Sequence, residues 1–198
     1  MSVIEVPDGQ LAAVVTYLEM HEPPNPLAIP PSSLRLVLVE HPAPAAYRDL
    51  FSKVGSPWLW FSRLIMPDAD LAAILLSPAV ELFEVHHGDA VVGMLELDSR
   101  EGDACELSFV GLVPEYSGQG HGRWLLAEAV ARAWGVDGVS RVHVHTCSLD
   151  HPAALAAYRR VGFIAIARKI ETFIDPRLAG VLPRDAAPQV PLVEPSSS

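Results

Sequence analysis

The sequence predicts an α/β fold of the α+β kind: a mixed, mostly antiparallel central sheet flanked by helices on both faces. Three observations carry that prediction. Two β-type runs in "AVELFEVHHGDAVVGMLELD" (79–98) surround His87-Gly88-Asp89, a hairpin pattern. A third apolar run, "ACELSFVGLV" (104–113), joins that antiparallel set. Beyond it helical and strand patterns alternate, which implies crossover connections and helices on the sheet faces.

Taken in order, "AAVVTYLEM" (12–20) is rich in β-formers and reads as a strand. "HEPPNPLAIPPSS" holds five prolines and excludes a regular element. "LRLVLVE" (34–40) reads as a strand, and "PAPAAYRDLFSKVG" (42–55) as a helix opened by proline and closed by Gly55. "SPWLWFSRLI" is aromatic-rich and fits neither period. "PDADLAAILLS" (67–77) reads as a helix with Pro67 and Asp68 at its start. After the hairpin and the third strand, a helix is expected from about Arg123 to Trp134, then a strand in "SRVHVHTC" (140–147). A short helix over 151–162 ends at Gly162, and "FIAIARKIETFI" (163–174) is the last strand. The proline- and serine-rich end is expected to be disordered. The chain thus divides into an N-terminal strand and proline-rich segment (1–33), a main domain (34–176) and a disordered tail (177–198).

Half of the 198 residues are hydrophobic, enough for a core without disulfides or metals. The net charge of −10 argues against nucleic acid and is compatible with a cationic substrate such as an amine. Cys105 and Cys147 form no CxxC pair, which fits a reducing, cytoplasmic setting. "MSVIEVPDGQ" lacks the basic start and apolar run of a secretory signal. No apolar run is long enough to span a bilayer, so no membrane partner is expected. The aromatic, apolar N-terminal half admits a homodimer.

The most informative stretch is "PEYSGQGHGRWLL" (114–126), where Gly118, Gly120 and Gly122 alternate between a strand and a helix start. The first N–H groups of a helix lack intrahelical partners and carry partial positive charge, so they hold anions. Glycines let a phosphate approach the backbone without meeting a Cβ, and their alternation allows several N–H groups to converge. A tight turn with a helix cap is the plain alternative. The loop lacks the Lys-Ser/Thr of a nucleoside triphosphate site. No acidic ribose partner follows it, and the strands before it are antiparallel, unlike a dinucleotide-binding unit.

The loop's context is more specific. "CELSFVGLVPEYSGQGHGRWLLAEAV" followed by "HTCSLDHPAALAAYRRVGFI" resembles the GNAT superfamily of N-acetyltransferases over about residues 34–174. The family's pyrophosphate loop, [Q/R]-x-x-G-x-[G/A], maps to Ser117-Gly118-Gln119-Gly120-His121-Gly122, with Ser117 departing from the usual Gln or Arg. The resemblance implies that backbone amides of Gly118, Gln119, Gly120, His121, Gly122 and Arg123 hold the pyrophosphate of acetyl-CoA (coenzyme A) as co-substrate. It also implies that the pantetheine arm lies along backbone near Val110, Leu112 and Val113. His151 falls where many members place an asparagine that touches the cofactor arm.

Acetylating an amine requires removing an ammonium proton, stabilising developing oxyanion charge and protonating a thiolate. Glu106 opens "ELSFVGLV" at the distance from the glycine loop of a catalytic glutamate in histone-type members. Partial burial is expected to raise its pKa, with Glu96 in reserve. Tyr158 in "ALAAYRRVGF" matches the family tyrosine near the acetyl-CoA sulfur, and a phenol can donate while neutral. The oxyanion donor is expected from backbone near Val110. In "SLDHPAAL", Asp150 or His151 is expected as a helix cap.

His143, His145 and Cys147 alternate along one strand and so share a face, but they span too far to close on one zinc. No metal is expected, and a core or cleft lining is the better reading. Trp58 and Trp60 read as core or oligomer contacts, with an aromatic wall for an amine as the alternative. The combined expectation is direct transfer from acetyl-CoA to a small-molecule or peptide primary amine, without an acyl-enzyme. A non-catalytic acyl-CoA-binding module of the same fold shares the loop, and a dinucleotide-binding enzyme is the third reading.

Overall fold

The computed structural model describes residues 3–195. Strand β1 (Gln10–Met20) comes first, followed by β2 (Arg35–Leu38) and helices α1 (Pro44–Gly55), α2 (Ser62–Ile65) and α3 (Asp68–Leu75). The hairpin β3 (Val80–His87) and β4 (Ala90–Asp98) leads to β5 (Ala104–Leu112) and α4 (His121–Gly135). The chain then forms β6 (Arg141–Cys147), α5 (Ala154–Val161) and β7 (Ile164–Ile174). The aromatic run that fitted neither period becomes a 3-10 turn, Ser56–Trp58, and the single-turn α2. Leu59 between them takes a left-handed conformation. Helix α4 begins at His121 rather than Arg123, because the glycine loop caps it: Gly120 sits at φ 88°.

The seven strands of the described residues form one sheet in the order β2-β3-β4-β5-β6-β1-β7. Every neighbouring pair is antiparallel except β5 and β6, which α4 joins as a parallel crossover. Adjacent β4 residues such as Met94 and Leu95 are both fully covered, so the centre of the sheet is buried on both faces. Helices α1 and α4 both pack on β4 and supply those two covers. The predicted mixed, mostly antiparallel sheet with helices on both faces is the observed architecture.

Two placements differ from the sequence expectation. Strand β1 belongs to the sheet of the main domain, inserted between β6 and β7 with Thr16 opposite Thr146 and Val14 opposite Ile170. The tail expected to be disordered is folded over residues 177–195, while 196–198 lie outside the described residues. Arg177 is almost completely buried and ion-paired with buried Asp175 (2.7 Å). The Arg177 guanidinium also donates to the carbonyls of Ala186 (3.2 Å) and Val190 (2.8 Å). Leu182 and Ala187 pack on Leu59, and Gln189 Nε2 donates to the Pro57 carbonyl (2.6 Å). The tail's composition predicts disorder because prolines remove backbone donors. One buried cation overturns that expectation by gathering carbonyls that no sheet or helix pairs.

Candidate active site

The site begins where two strands part. β5 and β6 are paired only through Ala104–Glu106 and Arg141–His143, although β5 continues to Leu112 and β6 to Cys147. A register shift against β4 leaves Ser108 as an extra residue between Leu107 and Phe109. Such a bulge bends its strand, and here it turns β5 away just past its last contact with β6. The wedge opens into a cavity of about 1270 Å³, lined by both strands, the glycine loop, the start of α4, Trp60, Arg63 and Tyr158.

The glycine loop closes one end. Gly118 and Gly120 both occupy left-handed backbone, at φ 76° and 88°, which side chains with a Cβ rarely adopt. Gly122 has ordinary helical backbone, and a Cβ there would meet nothing within 4 Å. Among the described residues, the N–H groups of Gly118 to Gly122 meet no protein acceptor, and the first one tied is Arg123, to the Gly120 carbonyl (3.1 Å). Gln119 Nε2 donates to the Glu115 carbonyl (2.7 Å) and braces the loop. Arg123 and Arg160 also line the cavity, and neither forms an ion pair among the described residues. Free N–H groups, a helix start and two unpaired guanidiniums suit a polyphosphate.

Of the residues expected at a cofactor, Val110, Leu112, Gly118, Gln119, Gly120, Gly122, Arg123 and His151 line this cavity. Val113 and His121 do not. The Val113 N–H donates to the Val92 carbonyl (2.9 Å), extending the β4–β5 ladder, and its side chain is in the core. The His121 imidazole turns to the proline-rich segment, where Nδ1 meets Ser32 Oγ at 2.9 Å.

Glu106 is half-buried at the vertex of the wedge, with Oε1 at 3.1 Å from His145 Nδ1 and Oε2 accepting from Ser108 Oγ (3.3 Å). The sequence expectation of a raised pKa is reversed. The hydrogen bond to His145 outweighs desolvation and holds the Glu106 carboxyl below its usual range. The same bond raises the His145 pKa above its ordinary value. Glu96 is sealed from the cavity. It is wholly buried, accepting from Tyr47 OH (2.5 Å) and paired with Arg63 (2.6 Å), so the reserve assignment fails.

Tyr158 packs edge-on against Phe163, and its hydroxyl meets no protein partner among the described residues. Burial pushes its pKa up, so the phenol stays protonated and able to donate. Asp150 does not cap α5. It closes the end of β6 instead, accepting from Thr146 Oγ1 (2.8 Å), the Cys147 N–H (2.7 Å) and Trp60 Nε1 (3.1 Å). His151 Nδ1 accepts the Ala153 N–H (3.1 Å) ahead of the helix. Burial raises the Cys105 thiol to about 12 and Cys147 to about 11, which leaves both protonated and poor nucleophiles. No three His, Cys, Asp or Glu side chains among the described residues converge as a metal would require.

The wedge between β5 and β6 thus opens beside a cradle of N–H groups at the start of α4. The model of the acetyltransferase (GNAT) family matches residues 47–163, more than half of the chain. This chain is a member of the GNAT acetyltransferase family. Solved structures share the fold. A functionally unknown conserved protein from Staphylococcus epidermidis aligns with TM-score 0.58 at 14% identity, covering 84% of this chain and 63% of its own. A GCN5-related N-acetyltransferase from Kribbella flavida aligns with TM-score 0.55 at 19% identity, covering 87% and 63%. One from Sphaerobacter thermophilus reaches 0.57 at 18% identity, covering 85% and 52%. The chain therefore spans less than two thirds of the length of each of these three. No curated protein sequence matches it. Among the described residues, no helix is long and apolar enough to cross a membrane.

Within this GNAT site, sequence reasoning missed the partnership of His145 with Glu106 and the place of Asp150 and Arg160 in the cavity wall. The alternation in "HVHTC" did put His145 on one face of a strand with His143. The register that sets Glu106 opposite His143, and so within reach of His145, comes from parallel pairing across the α4 crossover. Local pattern does not encode it.

Proposed function

We propose that this GNAT protein moves the acetyl group of acetyl-CoA directly to a primary amine of a small molecule or peptide. The observation that carries the reading is convergence: the free N–H groups of Gly118–Gly122, the Glu106–His145 pair and the Tyr158 hydroxyl all border one cavity. At about 1270 Å³ it exceeds the roughly 300–1000 Å³ of single-ligand pockets, so donor and acceptor fit together. The loop amides with Arg123 and Arg160 would hold the phosphates. The β5 backbone from Ser108 to Leu112, which has no strand on its β6 side, would hold the pantetheine arm. Bound acetyl-CoA supplies the activated thioester.

The chain's own groups handle the protons. Glu106 accepts the hydrogen bond of His145 Nδ1–H and fixes the tautomer, leaving Nε2 as the proton acceptor for the incoming ammonium. The resulting imidazolium is stabilised by the carboxylate. Backbone N–H near Val110 is the donor for oxyanion charge, and the Tyr158 hydroxyl gives its proton to the departing sulfur. Glu106 and Glu171 on the wall, together with Trp60 and Phe173, favour a cationic amine over an acidic one. The test is thiol release from acetyl-CoA across an amine panel. Amine-dependent release that rises with pH through the His145 titration is expected. Absence of release with every amine, while acetyl-CoA still binds, would overturn the transfer.

A further inference from the structure

We propose that a second copy of this chain pairs with β7, continuing the sheet antiparallel across a two-fold axis at Ile170. The pairing is tested by mass and so apart from the reaction assigned to the wedge, although Glu171 also lines that cavity. Among the described residues β7 is the last strand of the sheet, with β1 as its one neighbour, and it runs for eleven residues from Ile164 to Ile174. Every residue except Phe173 is exposed. Ile170 and Ile174 share a face at 59% and 62% exposure, beside Val14 at 46%, and Ile166, the extra residue of a bulge against β1, is 55% exposed. A long apolar edge with unpaired backbone groups is a template for another strand.

The charges on the opposite face select the occupant and the register. Lys169 lies over the Tyr17 ring (4.5 Å), and Glu171 accepts a long hydrogen bond from Tyr17 OH (3.4 Å). With the axis at Ile170, Lys169 of each copy faces Glu171 of the other, giving two opposite-charge pairs. On the isoleucine face Ile170 meets its own copy, while Arg168 faces Thr172. Centring the axis on Lys169 or on Glu171 instead would set like charges against each other. A sequence complementary to itself at one register points to a second identical strand.

Light scattering on the full chain across a dilution series tests this. The expected mass is twice the 21.4 kDa of one chain. Lys169→Glu and Glu171→Lys, both at exposed positions, should each raise the dimer dissociation constant at least about tenfold by facing like charges. The double variant restores the pairs and should restore the dimer. Ile170→Lys, on the other face, brings two lysines together at the axis and should also give monomer. Circular dichroism checks that each variant folds. A monomer at every wild-type concentration overturns the pairing, as does a dimer indifferent to these substitutions. A double variant no better than either single one overturns the register.

Discussion

Glu96 and Glu106 lie on neighbouring strands and project from the same face of the sheet, since Glu106 is opposite Asp98, two residues from Glu96. Glu96 is wholly buried between the Tyr47 hydroxyl and the Arg63 guanidinium. Glu106, the last β5 residue paired with β6 before the strands diverge, faces a cavity and a half-exposed imidazole. An arginine partner stays charged at any working pH, so the Glu96 pair acts as a fixed tie of α1 and α2 to the sheet. A histidine partner can take up and release a proton near neutrality. What separates a structural carboxylate from a functional one here is the residue facing it and whether a ligand can reach the pair.

The contrast can be broken first at Glu96. Glu96→Ala strands the Arg63 charge in the interior, and a loss of about 3–5 kcal/mol of unfolding free energy is expected by denaturant titration. A loss under about 1 kcal/mol would mean the pair does not hold the helices. At Glu106 the effect should fall on rate and leave the fold intact. Glu106→Gln should lower kcat about 10²-fold. It should also move the rising limb of the pH–rate profile to lower pH, because the carboxylate is what raises the His145 pKa. His145→Gln should remove that limb altogether, since the neutral imidazole accepts the proton and activity is lost as pH falls through its titration.

Tyr158→Phe should cost about 10-fold or more in kcat with little change in acetyl-CoA affinity, checked by steady-state kinetics beside calorimetry. The smallest effect is on stability. The lowered Glu106 pKa contributes stability above its unfolded value of 4.5, lost as pH falls through the folded value. The raised His145 pKa contributes below its unfolded value of 6.5, lost as pH rises through the folded value. The pair is therefore fully effective between those two values, and Glu106→Gln should cost most stability there. Thermal melts across pH would contradict the pairing if the loss were largest at alkaline pH.

The local parts of the fold were legible because local patterns encode them. The hairpin around Gly88, the glycine loop and the helix over 44–55 each carry their own turn or cap residues. The insertion of β1 between β6 and β7 was not, because pairing partners such as Val14 and Ile170 lie far apart in the chain. The tail misled for a different reason: its order depends on one arginine, Arg177, buried among carbonyls, and composition is blind to a single residue. At the site, the family resemblance put Glu106 and Tyr158 forward, and both line the cavity. The expected direction of the Glu106 pKa was wrong, since burial was visible in the pattern and His145 as partner was not.

Calorimetric titration with acetyl-CoA, with NAD and ATP as controls, tests the central claim most directly when done on the wild-type chain and on Gly122→Glu. Position 122 has helical backbone and open space where a Cβ would go, so glutamate adds a carboxylate at the cradle without strain. Binding of acetyl-CoA in the micromolar range, lost in Gly122→Glu while the circular dichroism spectrum is unchanged, is the predicted result. No binding to the wild-type chain, or equal binding to both, would contradict the assignment of the glycine loop and the wedge beside it.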